Sequence, residues 1–159
     1  MSASSTYRTF SFGFGRSEPG RRQEAPTGFD LTPTGFAMVD GADSVRQALL
    51  LLLSTAPGER VMRPTFGCDL HRLVFSPNND TTAGLAMHYV RQAIERWEPR
   101  VEVLRVDAGR RRVGADGSAT RTLDPAMDDR LYITVDYRLR LVNRTDRLTV
   151  SLDLHEGIR

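Results

Sequence analysis

The chain has 159 residues, 40% hydrophobic and 26% charged, which suits one globular domain with a sizeable core. Its one cysteine, Cys68, excludes an intramolecular disulfide, and a net charge of +2 gives nucleic-acid binding no support. No stretch approaches the roughly 20 apolar residues of a membrane span, and the N-terminus has no apolar signal-peptide core, so synthesis in the cytoplasm without membrane insertion is expected.

Residues 1–27 read as an N-terminal extension, rich in Ser, Gly, Arg and Pro, and residues 28–159 as the domain proper. Within the extension, Phe10, Phe12 and Phe14 alternate with Ser11 and Gly13. That is a strand period, and it fits either a flexible tail or an arm that docks on a partner by strand addition. Phe36–Val39 reads as a short strand. A helix follows through about Ser54, with Asp40 or Asp43 as its cap. Val45, Leu49, Leu52 and Leu53 share one face of it, and Leu50 and Leu51 broaden that face. Pro57-Gly58 ends it. Gly58–Pro64 reads as an extended, charged connector, and Phe66-Gly67 leads into a short helical segment near Asp69–Val74.

After the loop Ser76–Asp80 comes a second long helix, capped by Asp80 or Thr81, with Ala86, Val90, Ala93, Ile94 and Trp97 as its apolar stripe. Pro99 disfavours helical backbone at Glu98, so this helix stops at about Trp97. Glu98 is thereby left at the negative end of the helix dipole, where a carboxylate is unfavourable without a cation. Arg100 is the nearest candidate. Trp97-Glu98-Pro99-Arg100-Val101 is therefore a rigid, charged corner.

Val101–Ala108 reads as a strand, Arg110–Gly117 as a polar loop, and residues 118–129 resist assignment. Arg130–Leu141 is the clearest strand: Leu131, Ile133, Val135, Tyr137, Leu139 and Leu141 face one way. After a turn at Asn143–Asp146, Leu148, Val150, Leu152 and Leu154 alternate with polar residues, closing a hairpin. The expectation is a single α+β domain, with a small, mostly antiparallel sheet and its C-terminal hairpin packed on two main helices. The final strand offers an open edge unless Val101–Ala108 covers it.

Catalytic chemistry finds little footing. His71, His88 and His155 are scattered, so neither a metal nor another cofactor is expected. Cys68 has no histidine near it in sequence and reads as a buried structural thiol. Phosphate loops and nucleophile elbows are missing from the sequence. Arg110-Arg111-Arg112 lacks interleaved aromatics and reads as a solvated hairpin tip. Glu98, Glu59, Asp69 and Glu95 are candidate carboxylates for glycoside hydrolysis. Arg96 and Arg100, however, flank Glu98, which suits an ion pair better than acid catalysis. All 22 basic residues are arginine, whose planar fork suits carboxylate pairing and interfaces.

Two segments carry a resemblance, Ser54–Cys68 (containing Pro57-Gly58-Glu59-Arg60 and Arg63-Pro64-Thr65-Phe66-Gly67) and Trp97–Val101. In order and spacing they are similar to the baseplate wedge family of contractile injection machines. That family takes in the phage wedge protein once labelled a tail lysozyme, the TssE subunit of type VI secretion, and counterparts in extracellular contractile particles. The likeness runs from about Gly35 to Leu154 and leaves out residues 1–27. It implies a non-enzymatic structural role in a sixfold baseplate, several copies per particle, between the wedge core and the first ring of sheath. The implied fold resembles the strand-accepting part of a sheath subunit. Implied partners are the helical core-bundle proteins of the wedge and first-ring sheath subunits, with hub, spike or tube proteins as further candidates.

On that resemblance Glu98, Pro99 and Arg100 bind the wedge core; from the residues themselves, Glu59 and Arg60 add to the same surface, pair with Arg100 and Glu98, or form a local turn-stabilising pair. The hairpin strand carrying Leu148, Val150 and Leu152 is the candidate edge for sheath strands. The competing reading is a peptidoglycan-degrading, lysozyme-like hydrolase.

Overall fold

The computed structural model describes the backbone of residues 8–10, 31–32, 35–36, 38–109, 112–113, 119–120, 130–155 and 157–158, and side chains at Thr9 and over 41–109 and 130–155. The chain divides into two units, Met1–Leu49 and Leu50–Arg159. The boundary expected at residues 27 and 28 lies outside the described residues.

In the first unit, β1 (Arg8–Phe10) pairs antiparallel with β4 (Met38–Asp40), setting Phe10 opposite Met38. The strand period read around Phe10 thus finds a partner within the chain, while Phe12 and Phe14 lie outside the described residues. β2 (Leu31–Thr32) and β3 (Gly35–Phe36) form a two-residue ladder. The strand expected at Phe36–Val39 is divided between β3 and β4. Helix α1 (Gly41–Ser54) follows at once, with Asp43 in its first turn, where a carboxylate meets the helix's unpaired N–H groups. Val45 and Leu49 are fully buried.

In the second unit, Leu52 and Leu53 continue the buried face of α1, and Leu50 and Leu51 are half-buried. The helix stops before Pro57 is reached. Thr55 Oγ1 donates to Leu51 O at 2.6 Å, satisfying a last-turn carbonyl from a side chain. A single 3-10 turn, Asp69–Leu73, buries Leu70 and Leu73 and packs on α2 (Asp80–Trp97). The cap of α2 is Asn79, not Asp80 or Thr81: its side chain accepts from Thr82 N at 2.9 Å. Asn79 holds the extended backbone that a cap needs, which puts Asp80 already inside the helix. Ala86, Val90, Ala93 and Ile94 form the buried stripe, as their spacing predicts; Ala83 joins it, and Trp97 is half-buried.

The main sheet runs β10–β9–β8–β5 and is antiparallel throughout: β5 (Val101–Gly109), β8 (Arg130–Leu139), β9 (Arg144–Asp153) and β10 (Gly157–Ile158). Helix α2 packs against β5 and β8. Leu131, Ile133, Val135, Tyr137 and Leu139 of β8 and Leu148, Val150 and Leu152 of β9 are all buried. Each such side chain contributes about 1.5–3 kcal/mol through burial, so this face is the unit's main stabilising surface. The other face carries cross-strand pairs: Thr134 with Thr149, Asp136 with Arg147, and Glu102 with Arg138. Helices and antiparallel strands in this arrangement make the α+β fold expected.

Two strand boundaries differ from expectation. β8 ends at Leu139, and Arg140–Asn143 makes the turn, with Asn143 at φ 48°. Leu141 is consequently exposed instead of facing the core. Asn143–Asp146, expected as the turn, mostly belongs to β9, because Asn tolerates the left-handed backbone that closes the hairpin. Within the stretch read as a polar loop and its unassigned continuation, β6 (Arg112–Val113) pairs with β7 (Ala119–Thr120).

Candidate functional site

The corner at the end of α2 is built as its sequence dictates. Glu98 is the C-cap, and its N–H donates to Ile94 O at 2.9 Å. Pro99 cannot continue the helix, and Val101 N–H closes the turn on Glu98 O at 3.2 Å. The Glu98 carboxylate is buried, at 6% exposure, and both its oxygens are held by one guanidinium. Arg100 Nε donates to Oε1 at 2.5 Å and Nη2 to Oε2 at 2.6 Å. This bidentate, charge-assisted geometry is the strong form of the Arg–carboxylate pair. It supplies the cation that a carboxylate at a helix C-terminus requires. Val101 anchors the corner in the core, while Pro99 is exposed.

The loop from Thr55 to Cys68 sits against this corner through aromatic rings. Phe66 packs on Trp97 with centroids 5.5 Å apart and planes tilted by 58°. Arg60 lies over the Phe66 ring at 4.2 Å, and Arg96 lies over Trp97 at 5.0 Å. Such cation–π contacts add order to side chains that would otherwise sweep solvent. The two motifs that carried the family resemblance are therefore in physical contact.

The loop itself is folded back, not the extended connector its charges suggested. Gly58 N–H donates to Pro64 O at 2.7 Å, Arg63 N–H to Arg60 O at 3.1 Å, and Phe66 N–H to Arg63 O at 3.0 Å. Ala56 N–H donates to Glu59 Oε2 at 2.8 Å, and Glu59 N–H returns to Ala56 O at 3.2 Å. Glu59 thus stabilises its own turn, and Arg60 stacks on Phe66. At the base, Cys68 N–H donates to Thr55 O at 2.9 Å. Gly67 makes this closure possible: at φ 133° a Cβ there would lie 2.4 Å from Thr55 O.

Arg140, which no motif singled out, also belongs to the corner. Its N–H donates to Arg100 O at 3.0 Å and its Nε to Val101 O at 3.4 Å. The regular alternation through Leu141 concealed it, because a strand residue gave no sign of a turn pinned to another element.

Leu148, Val150 and Leu152, read as a contact edge, have their side chains in the core, at 0%, 6% and 0% exposure. Alternation puts one face of β9 inside, so any edge contact belongs to its backbone groups instead. Strand β10 pairs with that edge at Gly157 and Ile158, opposite Asp153 and Leu152. β5 lies on the far side of β8 and does not pair with β9.

Cys68 is buried, and desolvation pushes its thiol up to about 12, so it is a neutral core group and not a nucleophile. Among the described residues no three His, Cys, Asp or Glu side chains gather as metal ligands, and no helix is long and apolar enough to cross a membrane.

Helix α2 on an antiparallel hairpin sheet, ending in this clamped corner, is the frame that carries both motifs. The family described as baseplate wedge protein gp25 matches residues 39–144, well over half of the chain and inclusive of both motifs, so the chain belongs to that family. Among curated relatives, baseplate wedge protein gp25 of Enterobacteria phage T4 is 33% identical over 67 residues, covering 42% of this chain and 51% of that protein. The chain thus spans about half the length of the curated relative it matches. A Geobacter sulfurreducens protein, provisionally named a tail lysozyme, superposes at a TM-score of 0.59 with 38% identity, covering 76% of this chain and 98% of that one. A chain of the anti-feeding prophage baseplate shares the fold at a TM-score of 0.53 and 23% identity, covering 76% and 78%.

Proposed function

We propose that this chain is a non-enzymatic structural component of the baseplate of a contractile injection machine, linking the wedge core to the first sheath ring. The observation that carries this reading is the Glu98–Arg100 clamp, set where the two family motifs meet. A buried, bidentate ion pair on a proline-locked turn gives a surface of fixed shape, which suits docking better than turnover. Glu98, Pro99 and Arg100 form the centre of the docking surface for the wedge core, with Arg60 at its rim and Glu59 holding the loop. The backbone edge of β9 is the template for strands of the first sheath ring, by β-augmentation. Residues 1–27 serve as an arm, anchored where Arg8–Phe10 pairs with Met38–Asp40. The protein is made in the cytoplasm and works in several copies of a sixfold baseplate, beside sheath, hub, spike or tube proteins.

The test is co-purification with the wedge core proteins from the same gene cluster. Arg100→Ala is expected to remain folded by circular dichroism and to lose capture, and Arg100→Lys to lose most of it, because an ammonium cannot form the fork. Undiminished capture by folded Arg100→Ala refutes the docking role.

The provisional name of the Geobacter relative raises a hydrolase reading. Glu98 argues against it, since both its oxygens accept from Arg100 and none is placed to donate a proton. Clearing of a cell-wall suspension by the purified chain, abolished in Glu98→Gln, would favour the hydrolase.

A further inference from the structure

We propose that a β-bulge at Leu104 closes the outer edge of β5 to strand pairing, and that the pairing it prevents is with β5 of a second copy of the chain. This stands apart from the docking corner and from any strand that adds at β9. β5 ends the main sheet: β8 pairs with one side of it, and among the described residues no strand pairs with the other. A nine-residue strand in that position presents a row of backbone N–H and C=O groups. The same strand from another copy is their ready complement, because antiparallel pairing about a two-fold axis needs no second sequence.

The bulge follows from the sequence. Val101 and Val103 lie opposite Leu139 and Tyr137, and Val106 and Ala108 lie opposite Val135 and Ile133. All four partners are buried, so all four β5 residues belong to the core face. Strict alternation from Val103 would turn Arg105 and Asp107 inward and Val106 and Ala108 outward. One residue must therefore leave the ladder between Val103 and Val106. That residue is Leu104: Val103 pairs with Tyr137, Arg105 pairs with the adjacent Asp136, and the register shifts between them. Its side chain is 45% exposed.

Core packing does not ask for the extra residue. With Leu104 removed, Val101, Val103, Val106 and Ala108 would alternate strictly with Glu102, Arg105 and Asp107, and every other pairing with β8 would stand. The inner ladder of β8 on β9 runs from Arg130 to Leu139 without a shift. The irregularity thus sits on the strand that ends the sheet. A bulge bends its strand, sharpens the twist and breaks the spacing of the outward groups. A straight incoming strand then meets them in register on one side of Leu104 at a time. Arg105 and Asp107, exposed and paired at 3.6 Å, add charge beside the break.

The test compares the full chain with a variant lacking Leu104. Sedimentation reads the mass, and hydrogen exchange read by mass spectrometry gives amide protection over Val101–Gly109, each across a range of concentrations. Exchange at β5 in the parent is expected to be independent of concentration. The deletion variant is expected to keep its sheet by circular dichroism, to approach about twice the parent's mass as concentration rises, and to gain protection over Val101–Gly109. Leu104→Ser and Arg105→Thr/Asp107→Thr keep the bulge, and both are expected to behave as the parent does. A folded deletion variant that stays monomeric overturns the proposal, as does a dimer whose new protection lies elsewhere. Loss of the sheet on deletion overturns it too, since the extra residue would then serve the fold itself. Pairing through β5 in the parent, or in Arg105→Thr/Asp107→Thr, would show that the bulge is no guard.

Discussion

Arg100 holds both carboxylate oxygens of Glu98 across an intervening proline, with Glu98 buried at the end of α2. The pair is local in sequence yet fixes two elements, because one partner closes a helix and the other opens a strand. Removing the arginine leaves a buried carboxylate without its cation. Arg100→Ala is expected to lower stability by about 1–3 kcal/mol, the cost of an unsatisfied buried polar group. Glu98→Gln in that background is expected to recover part of the loss, because a neutral amide is cheaper to bury. Urea denaturation of the single and double variants measures both numbers, and a double variant no more stable than Arg100→Ala contradicts this account.

Gly67→Ala tests the loop closure. A Cβ there falls 2.4 Å from Thr55 O, and the backbone sits where L side chains are strained. A loss of about 2–4 kcal/mol is expected. The emission of Trp97, the chain's one tryptophan, should change as well, because Phe66 next door packs on it. An unchanged unfolding midpoint would show that the loop adjusts freely.

The polar face of the sheet predicts a pH dependence. Hydrogen bonds from Arg147 and Arg138 hold the Asp136 and Glu102 carboxyls below their ordinary values of 3.8 and 4.5. Because the folded values are the lower ones, the stability these groups add is present above the ordinary values and lost as pH falls through the folded ones. Asp136→Asn/Glu102→Gln is therefore expected to lose less melting temperature than the parent between about pH 5 and pH 3. Equal losses in the two proteins would remove the effect. Its size is small, since both pairs face solvent.

Phe75 is a non-glycine residue at φ 67° with its ring 83% exposed. Its N–H is held by Leu154 O at 2.6 Å. Left-handed backbone costs about 1–2 kcal/mol for an ordinary L residue, and an exposed ring returns little. Phe75→Gly is expected to keep the fold and raise stability by about 0.5–1 kcal/mol, read from the denaturation midpoint. A clear destabilisation would mean that the ring contributes packing of its own.

Local signals carried most of the architecture. Pro99 marked the end of α2, the period of Val90, Ala93 and Ile94 gave its buried face, and the alternation from Leu131 to Leu139 gave β8 and its inward side. Errors arose where neighbouring residues compete for one role. Asn79, Asp80 and Thr81 all suit a cap, and backbone conformation alone decides among them. Leu141 keeps the alternation going past the point where Asn143 turns the chain. The contacts that assemble the corner were not legible, because Phe66 on Trp97 and Arg140 on Arg100 join residues far apart in sequence. The helix dipole made Arg100 the nearest cation for Glu98, and the structure adds that one guanidinium holds both carboxylate oxygens.

The hydrogen bond from Cys68 N–H to Thr55 O brings the two ends of the loop together. Residues 56–66 are thereby insulated from the distances that the core imposes, as in a compact surface loop whose stems meet. Lengthening such a loop is cheap, since closure entropy grows slowly with length. A graft at the exposed Val61-Met62 is therefore expected to leave the interior of the subunit unchanged.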